Sequence, residues 1–350
     1  MLDAERGLKG KKGGVGVARP LDVAVVGTGW FGELHVSALT GLPDARVVAI
    51  CDVTEARARE VAGRFGIPTV HTTVEDLLRA GGLDAVTLVT DPANHYAPAM
   101  RILEAGIPLF VEKPIAIDLA HAEAMVEAAE RRRLPLMVGH ILRFDPRYRG
   151  IAEALQAGRM GRLISVASRR LNASRLFVQG YRLDPILRAA IHDIDLGLWY
   201  TGARSGEATT IRAVRRHAGG HALPDAYWAL VEFESGAVFS LECGFVLPEG
   251  SPGVITAHLT VIGTRAMAEV IHPARDTAHW TAGGVVNPDT HFWPELGGHV
   301  TGALRDELAH FIAVVRTGTP VEAGTPAQAL DALRLGHRII EAARGAGPPP

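Results

Sequence analysis

Lys113 is a candidate for chemistry because it closes a strand-like run, where open α/β sheets bind ligands. It follows the apolar run Leu109–Val111 and Glu112, and Pro114 comes next. Proline restricts the residue before it to extended backbone, and its peptide bond tolerates the cis form, so the lysine's direction is fixed. A second set stands far along the chain, Ile191-His192-Asp193-Ile194-Asp195. An imidazole with an ordinary pKa of about 6.5 can take and return a proton near neutral pH. A third constellation is Gly27-Thr28-Gly29-Trp30-Phe31-Gly32. Between a strand and a helix, these glycines permit a tight turn, close approach of backbone to a pyrophosphate, and close helix–strand packing. The helix amino terminus then faces the negative charge. Asp52 ends the next apolar run, 20 positions after Gly32. Its carboxylate suits a ribose 2′-hydroxyl and repels a 2′-phosphate, which favours NAD over NADP. Arg57, on the following helix, is the residue able to reach a 2′-phosphate.

These residues need a frame. Short apolar runs at Leu21–Val26, Arg46–Cys51, Ala85–Val89, Leu109–Val111 and Leu136–Val138 alternate with helical stretches such as Thr54–Phe65, Tyr96–Ala105 and Leu119–Arg131. Near-continuous apolar strands are buried on both faces, as in a parallel sheet covered by helices. The alternation predicts a doubly wound α/β domain over residues 20–142. Three chemistry-bearing stretches close its later strands: Thr90-Asp91-Pro92-Ala93-Asn94-His95, Glu112-Lys113-Pro114, and Gly139-His140 with Arg143-Phe144-Asp145-Pro146. Carboxyl ends of parallel strands are where such sheets bind ligands. The cofactor-contacting residues are therefore expected to be Gly27, Thr28, Gly29, Trp30, Phe31, Gly32, Asp52, Thr90, Asn94, His95, Glu112 and Lys113.

After residue 142 the rhythm changes. Residues 143–345 read as an α+β domain around a large, open, mostly antiparallel sheet. Its strand-like segments are Leu163–Arg170, Thr209–His217, Ala226–Phe233, Ala237–Gly244, Ile255–Ile262 and Met267–Ile271, with a hairpin at Glu234-Ser235-Gly236. Helices are expected at Arg147–Gln156, Asp184–Tyr200, Gly302–Arg316 and Pro326–Ala343. In the second of these, Asp184 and Pro185 suit the N-cap and N1 positions. Leu187, Ile191, Ile194 and Leu198 make a core stripe, and Arg188, His192, Asp195 and Trp199 an adjacent polar one. Residues 1–19 and 346–350 read as loose tails.

The glycine fingerprint, Asp52, Glu112-Lys113-Pro114, Gly139-His140-x-x-Arg143-Phe144-x-Pro146 and the His192–Asp195 set together resemble the Gfo/Idh/MocA oxidoreductases, which include glucose–fructose oxidoreductase and inositol dehydrogenase. The resemblance runs over residues 20–345. It implies a Rossmann domain joined to an open-sheet domain that carries a sugar or cyclitol, and hydride transfer between a carbinol and nicotinamide. It implies that Lys113 orients substrate or stabilises charge on the reacting oxygen. It also implies that His192 is the general acid/base, with Asp195 placing substrate or orienting His192. Arg143, Arg188 and Trp199 are expected at the substrate. The sequence departs from the family at Arg188, where many members carry Asp four residues before the histidine. Arg188 either binds an anionic substrate group or pairs with Asp184. His217, His221, His291, Trp293 and His299 are further candidates for contact with a sugar. Two other readings fit the same motifs: transient oxidation by tightly held NAD during glycoside cleavage or epimerisation, and a non-catalytic sensor.

Composition narrows the classes. The chain has 350 residues, with 36 Lys+Arg against 38 Asp+Glu and a formal charge of −2. That balance does not suit a binder of nucleic-acid phosphates. Two cysteines, Cys51 and Cys243, build no disulfide framework and suit a reducing cytoplasm. No apolar run reaches membrane-span length and no secretory h-region is present, so no membrane partner is expected. There is no zinc-ligand spacing, no nucleophile elbow and no Walker A motif, so no metal site is expected. An open sheet face needs covering, which points to a homodimer or homotetramer.

Overall fold

In the computed structural model, residues 19–178, 183–249, 251, 254–274 and 276–345 are described. The expected tails lie outside them, except for Arg19, whose guanidinium grips Asp84 at 2.7 and 2.9 Å.

The first layer is a parallel sheet in the order β3-β2-β1-β4-β5-β6. Its strands are β1 (Leu21–Val26), β2 (Ala45–Cys51), β3 (Thr69–His71), β4 (Ala85–Leu88), β5 (Leu109–Glu112) and β6 (Leu136–Gly139). Val23, Ala24 and Val25 are wholly buried, as a strand covered on both faces must be. The covering helices are α1 (Trp30–Thr40), α2 (Glu55–Phe65), α3 (Val74–Ala80), α4 (Tyr96–Glu104) and α5 (Leu119–Arg132). Strand order reverses between β1 and β4, so the crevice at their carboxyl ends is a ligand site by topology. β3 is three residues long and left no apolar run to find.

The second sheet has the order β12-β11-β7-β10-β9-β8. It comprises β7 (Leu163–Ala173), β8 (Ala208–Arg216), β9 (Ala226–Phe233), β10 (Val238–Leu247), β11 (Ile255–Gly263) and β12 (Met267–His272). β7 and β10 pair in parallel and the other neighbours are antiparallel. Burial alternates along β9, so one face is buried and the other open. Helices α6 (Pro146–Gln156), a short α7 (Arg175–Val178) and α8 (Ile191–Thr201) belong to this half.

One helix differs from its expectation. Asp184–Tyr200 is not a single α-helix: Ile186–Ala190 forms a π-turn, and the α-helix begins at Ile191. Asp184 caps it as expected, accepting from the Ile186 amide at 2.9 Å. A π-turn holds an extra residue, which rotates Arg188 relative to His192.

The closing helices, α9 (Gly302–Thr317) and α10 (Pro326–Gly345), return to the first sheet. Phe311 packs edge-on against Phe110 of β5, and the Val138 amide donates to the Gly324 carbonyl at 2.8 Å. The same helices also serve the second half, through Arg204 on Asp331 at 2.5 Å.

Candidate active site

The glycine fingerprint bridges β1 and α1. Gly27 has φ +91°, and a Cβ there would sit 2.7 Å from the Val89 carbonyl oxygen. A Cβ on Gly32 would sit 2.0 Å from the Gly27 carbonyl oxygen, whereas one on Gly29 would meet nothing within 4 Å. The first and third glycines are thus demanded by the chain's own packing. The second leaves open space before a helix amino terminus, a cradle that fits a pyrophosphate. Asp52 closes β2 and faces this turn: its Oδ2 accepts from the Thr28 amide at 2.7 Å and the Thr28 hydroxyl at 2.9 Å. Arg57 donates to the Thr28 carbonyl at 2.9 Å and pairs with Glu33 and Glu60. Both carboxylates also pair with Arg64, so Arg57 is held in a cluster of two arginines and two glutamates. Asp52→Ala should weaken NAD binding about tenfold and lower the preference for NAD over NADP by at least as much, which cofactor titrations of tryptophan fluorescence would measure. Trp30 is a suitable reporter, being 67% exposed at the first position of α1. It packs edge-on against Trp293, which also touches Phe31.

Several expected cofactor contacts lie behind the site. His95 is wholly buried, with its ring nitrogens 3.0 Å from the carbonyls of Thr90 and Pro114. It ties the end of β4 to the loop after Lys113. Glu112 is also buried: its carboxylate accepts from the Lys113 amide at 3.1 Å and lies 3.3 Å from His35 Nε2. A Cβ on Gly139 would come within 2.5 Å of that carboxylate, which explains the glycine beside His140. Thr90 is half-buried and Asn94 exposed at the strand's end.

Lys113 precedes a cis peptide bond to Pro114, and its Nζ donates to the Arg188 carbonyl at 3.0 Å. One hydrogen bond thereby joins the carboxyl end of β5 to the π-turn leading into His192. Burial lowers the Lys113 pKa to about 8, against the opposing pull of Glu112 and with help from Arg170 and Arg188. Burial also holds His192 well below the usual imidazole value, and the cations Lys113 and Arg170 add to it. His192 is therefore neutral at pH 7. Its Nδ1 is buried with no hydrogen-bond partner among the described residues.

The expected partners of His192 are arranged differently. Asp195 is buried and forms a two-pronged pair with Arg143 at 2.7 and 2.8 Å. Arg143 is only 3% exposed and also lies 4.7 Å over the Trp199 ring. Asp195 and Trp199 sit one helical turn apart, so both meet the one guanidinium. These three lock the end of β6 onto α8. Asp193 is held by Ser168 at 2.5 Å and Arg170 at 2.6 Å. Asp184 accepts from Tyr227 at 2.6 Å, and Arg188 lies 4.7 Å over the Phe245 ring. Of the further histidines, His299 packs on Gly41 at the far end of α1, and His221 against Phe177.

Glu307 was missed. It is wholly buried on α9, and neither carboxyl oxygen has a hydrogen-bond partner among the described residues. Burial, then Glu112 and Asp195, raise its pKa well above the carboxylate range. The signal was legible: Leu304, Glu307, Leu308 and Phe311 follow core-facing spacing. Because the folded pKa is the raised one, folding takes up a proton above about pH 4.3, and stability declines as pH rises beyond it. Glu307→Gln should flatten that decline, read as melting temperature between about pH 5 and pH 8.

A glycine turn at the switch point of a parallel sheet, closed by Asp52, defines a dinucleotide-binding Rossmann domain. The chain belongs to the Gfo/Idh/MocA family: residues 21–140 match the oxidoreductase family with NAD-binding Rossmann fold, and residues 148–269 the GFO/IDH/MocA C-terminal domain. It is 34% identical to inositol 2-dehydrogenase 1 of Saccharopolyspora erythraea over 63% of this chain and 66% of that one. It is 32% identical to inositol 2-dehydrogenase of Streptomyces avermitilis over 69% of this chain and 74% of that one. The matches thus span about two thirds to three quarters of those relatives' length. The fold is that of scyllo-inositol dehydrogenase from Lactobacillus casei, whose structure holds NAD(H) and scyllo-inositol: TM-score 0.80, 20% identity, 93% of this chain and 98% of that one.

Proposed function

We propose that this protein is an NAD-dependent dehydrogenase that oxidises a hydroxyl-bearing carbon of a polyol: a sugar, a sugar acid or a cyclitol. The observation that carries the reading is the Lys113 Nζ bond to the Arg188 carbonyl, which fastens the strand-end lysine four residues before His192. The inositol dehydrogenases among its relatives support the substrate class.

Gly27, Gly29, Gly32 and Asp52 hold the cofactor through backbone approach and the ribose hydroxyl. NAD, when bound, supplies the hydride acceptor. The Lys113 ammonium donates to the substrate oxygen and stabilises the negative charge that develops there. His192, neutral at pH 7, takes the hydroxyl proton. Glu112, His95 and the Arg143–Asp195 pair keep these two groups in place.

The same reading has the protein work in the cytoplasm, with a second copy covering the open face of the second sheet. Trp228 and Leu230 there are 40% and 45% exposed, beside Arg212 and Glu242 on neighbouring strands. Sedimentation of a dimer or tetramer would support that assembly, and a monomer would remove it.

The test is NADH formation with a panel of cyclitols, aldoses and sugar acids. Turnover that needs Lys113 supports the reading. Tight NAD binding without any released NADH would replace it with internal redox chemistry or sensing.

A further inference from the structure

Two observations go beyond the dehydrogenase reading, on which this inference rests. The first is an exposed aromatic corner. Trp30 opens α1 directly after Gly29 and is 67% exposed. Its ring centroid lies 5.6 Å from that of Trp293, with the two planes at 84°. An edge contact of this kind leaves a face of each indole uncovered by the other. The backbone at Trp293 is held firmly. Asp289 accepts from the amides of His291, Phe292 and Trp293 at 3.0, 3.0 and 2.7 Å, and the Leu304 amide of α9 donates to the Phe292 carbonyl at 2.9 Å.

The second is where the corner stands. The Phe31 ring meets Trp293 at 5.5 Å and His35 at 5.2 Å. His35 Nε2 lies 3.3 Å from Glu112, whose carboxylate accepts from the Lys113 amide. The aromatic corner is therefore linked to the β5 side of the glycine turn, where Lys113 is, whereas Asp52 closes β2 on the other side of β1. It also draws one ring from each half of the molecule. Trp30 belongs to the dinucleotide turn and Trp293 to the chain after β12, just as Lys113 ends β5 and His192 opens α8. A substrate lying between the halves meets a polar side and an aromatic side, the usual make-up of a small-molecule site.

We propose that the Trp30 and Trp293 indoles position the substrate, stacking on the C–H face of its ring while Lys113 and His192 address its hydroxyl. The C–H hydrogens on one face of a pyranose or cyclitol ring carry partial positive charge, which suits the negative face of an indole. An open-chain polyol has no fixed face to offer.

The test compares myo-inositol and D-glucose with D-sorbitol, which has as many carbons as either but no ring, in the native protein, Trp30→Ala, Trp30→Phe and Trp293→Ala. A polyol bound without turnover is compared through its inhibition constant, and NAD affinity is read by calorimetry. The native protein should favour the rings. Trp30→Ala and Trp293→Ala should each lower the ring-to-chain ratio about tenfold, through KM and not kcat, with NAD affinity kept within about threefold. Trp30→Phe, which keeps an aromatic face, should recover most of the loss, an outcome that mere loosening of the fold does not give. Equal losses for rings and chain would overturn the proposal, as would a native preference for D-sorbitol. A loss confined to NAD affinity would assign Trp30 to the cofactor and overturn the substrate contact. All three leave the dehydrogenase reading intact. No turnover of any polyol by the native protein would remove that reading and this inference with it.

Discussion

Lys113→Met should lower kcat by about 10²–10³-fold while leaving the dissociation constant for NAD within about threefold. The side chain is half-buried and its Nζ meets the chain only at the Arg188 carbonyl among the hydrogen bonds described, so the loss falls on catalysis and not on the fold. The pH dependence gives a sharper form. The ammonium is the working species and its pKa is about 8. The charged form is present below that pH and lost above it, so kcat/KM should fall as pH rises through about 8. Lys113→Arg keeps the charge well above that range and should abolish this limb, whatever its absolute rate. An unchanged alkaline limb in Lys113→Arg would assign the titration to another group.

His192→Ala should cost about 10²–10⁴-fold in kcat/KM, the range of a lost general base. NAD binding should persist, because the dinucleotide cradle is built on β1 and α1. Added imidazole should recover part of the rate, since removing the ring leaves room for a soluble base. A structural role would give neither the retained cofactor binding nor the rescue. Burial, with Lys113 and Arg170, holds His192 well below the usual imidazole value, so it should impose no acid limb near that value. If oxidation instead fell steeply between about pH 7 and pH 6 under control of His192, the low pKa would be contradicted.

Much of this architecture is legible from local pattern. Gly27 and Gly32 stand at a strand-to-helix turn, and each sits where a Cβ would meet backbone, as their spacing suggested. The parallel sheet follows from strands with no polar face, and β9 from its alternation. What the pattern could not carry was pairing at long range. Asp195 looks like a partner for His192 because they share a helical face, yet Arg143, 52 residues away in sequence, takes both its oxygens. His95 sits at a strand end, where ligands bind, but its ring is turned inward to two carbonyls. The π-turn at Ile186–Ala190 has no propensity signal, because the same residues suit an α-helix equally well. Likewise, nothing in the amphipathic pattern of α9 shows that it returns to β5. Only Glu307 on its core-facing stripe hints at an unusual environment.

The central claim is that Lys113 and His192 serve direct hydride transfer from a polyol carbon to NAD. Incubation of the protein with NAD and a polyol deuterated at its carbinol carbons, followed by mass spectrometry of the nicotinamide product, tests this. NADH should carry one deuterium, form more slowly than from the unlabelled substrate, and form about 10²–10³-fold more slowly still with Lys113→Met. Polyol oxidised with no deuterium in released NADH would contradict it.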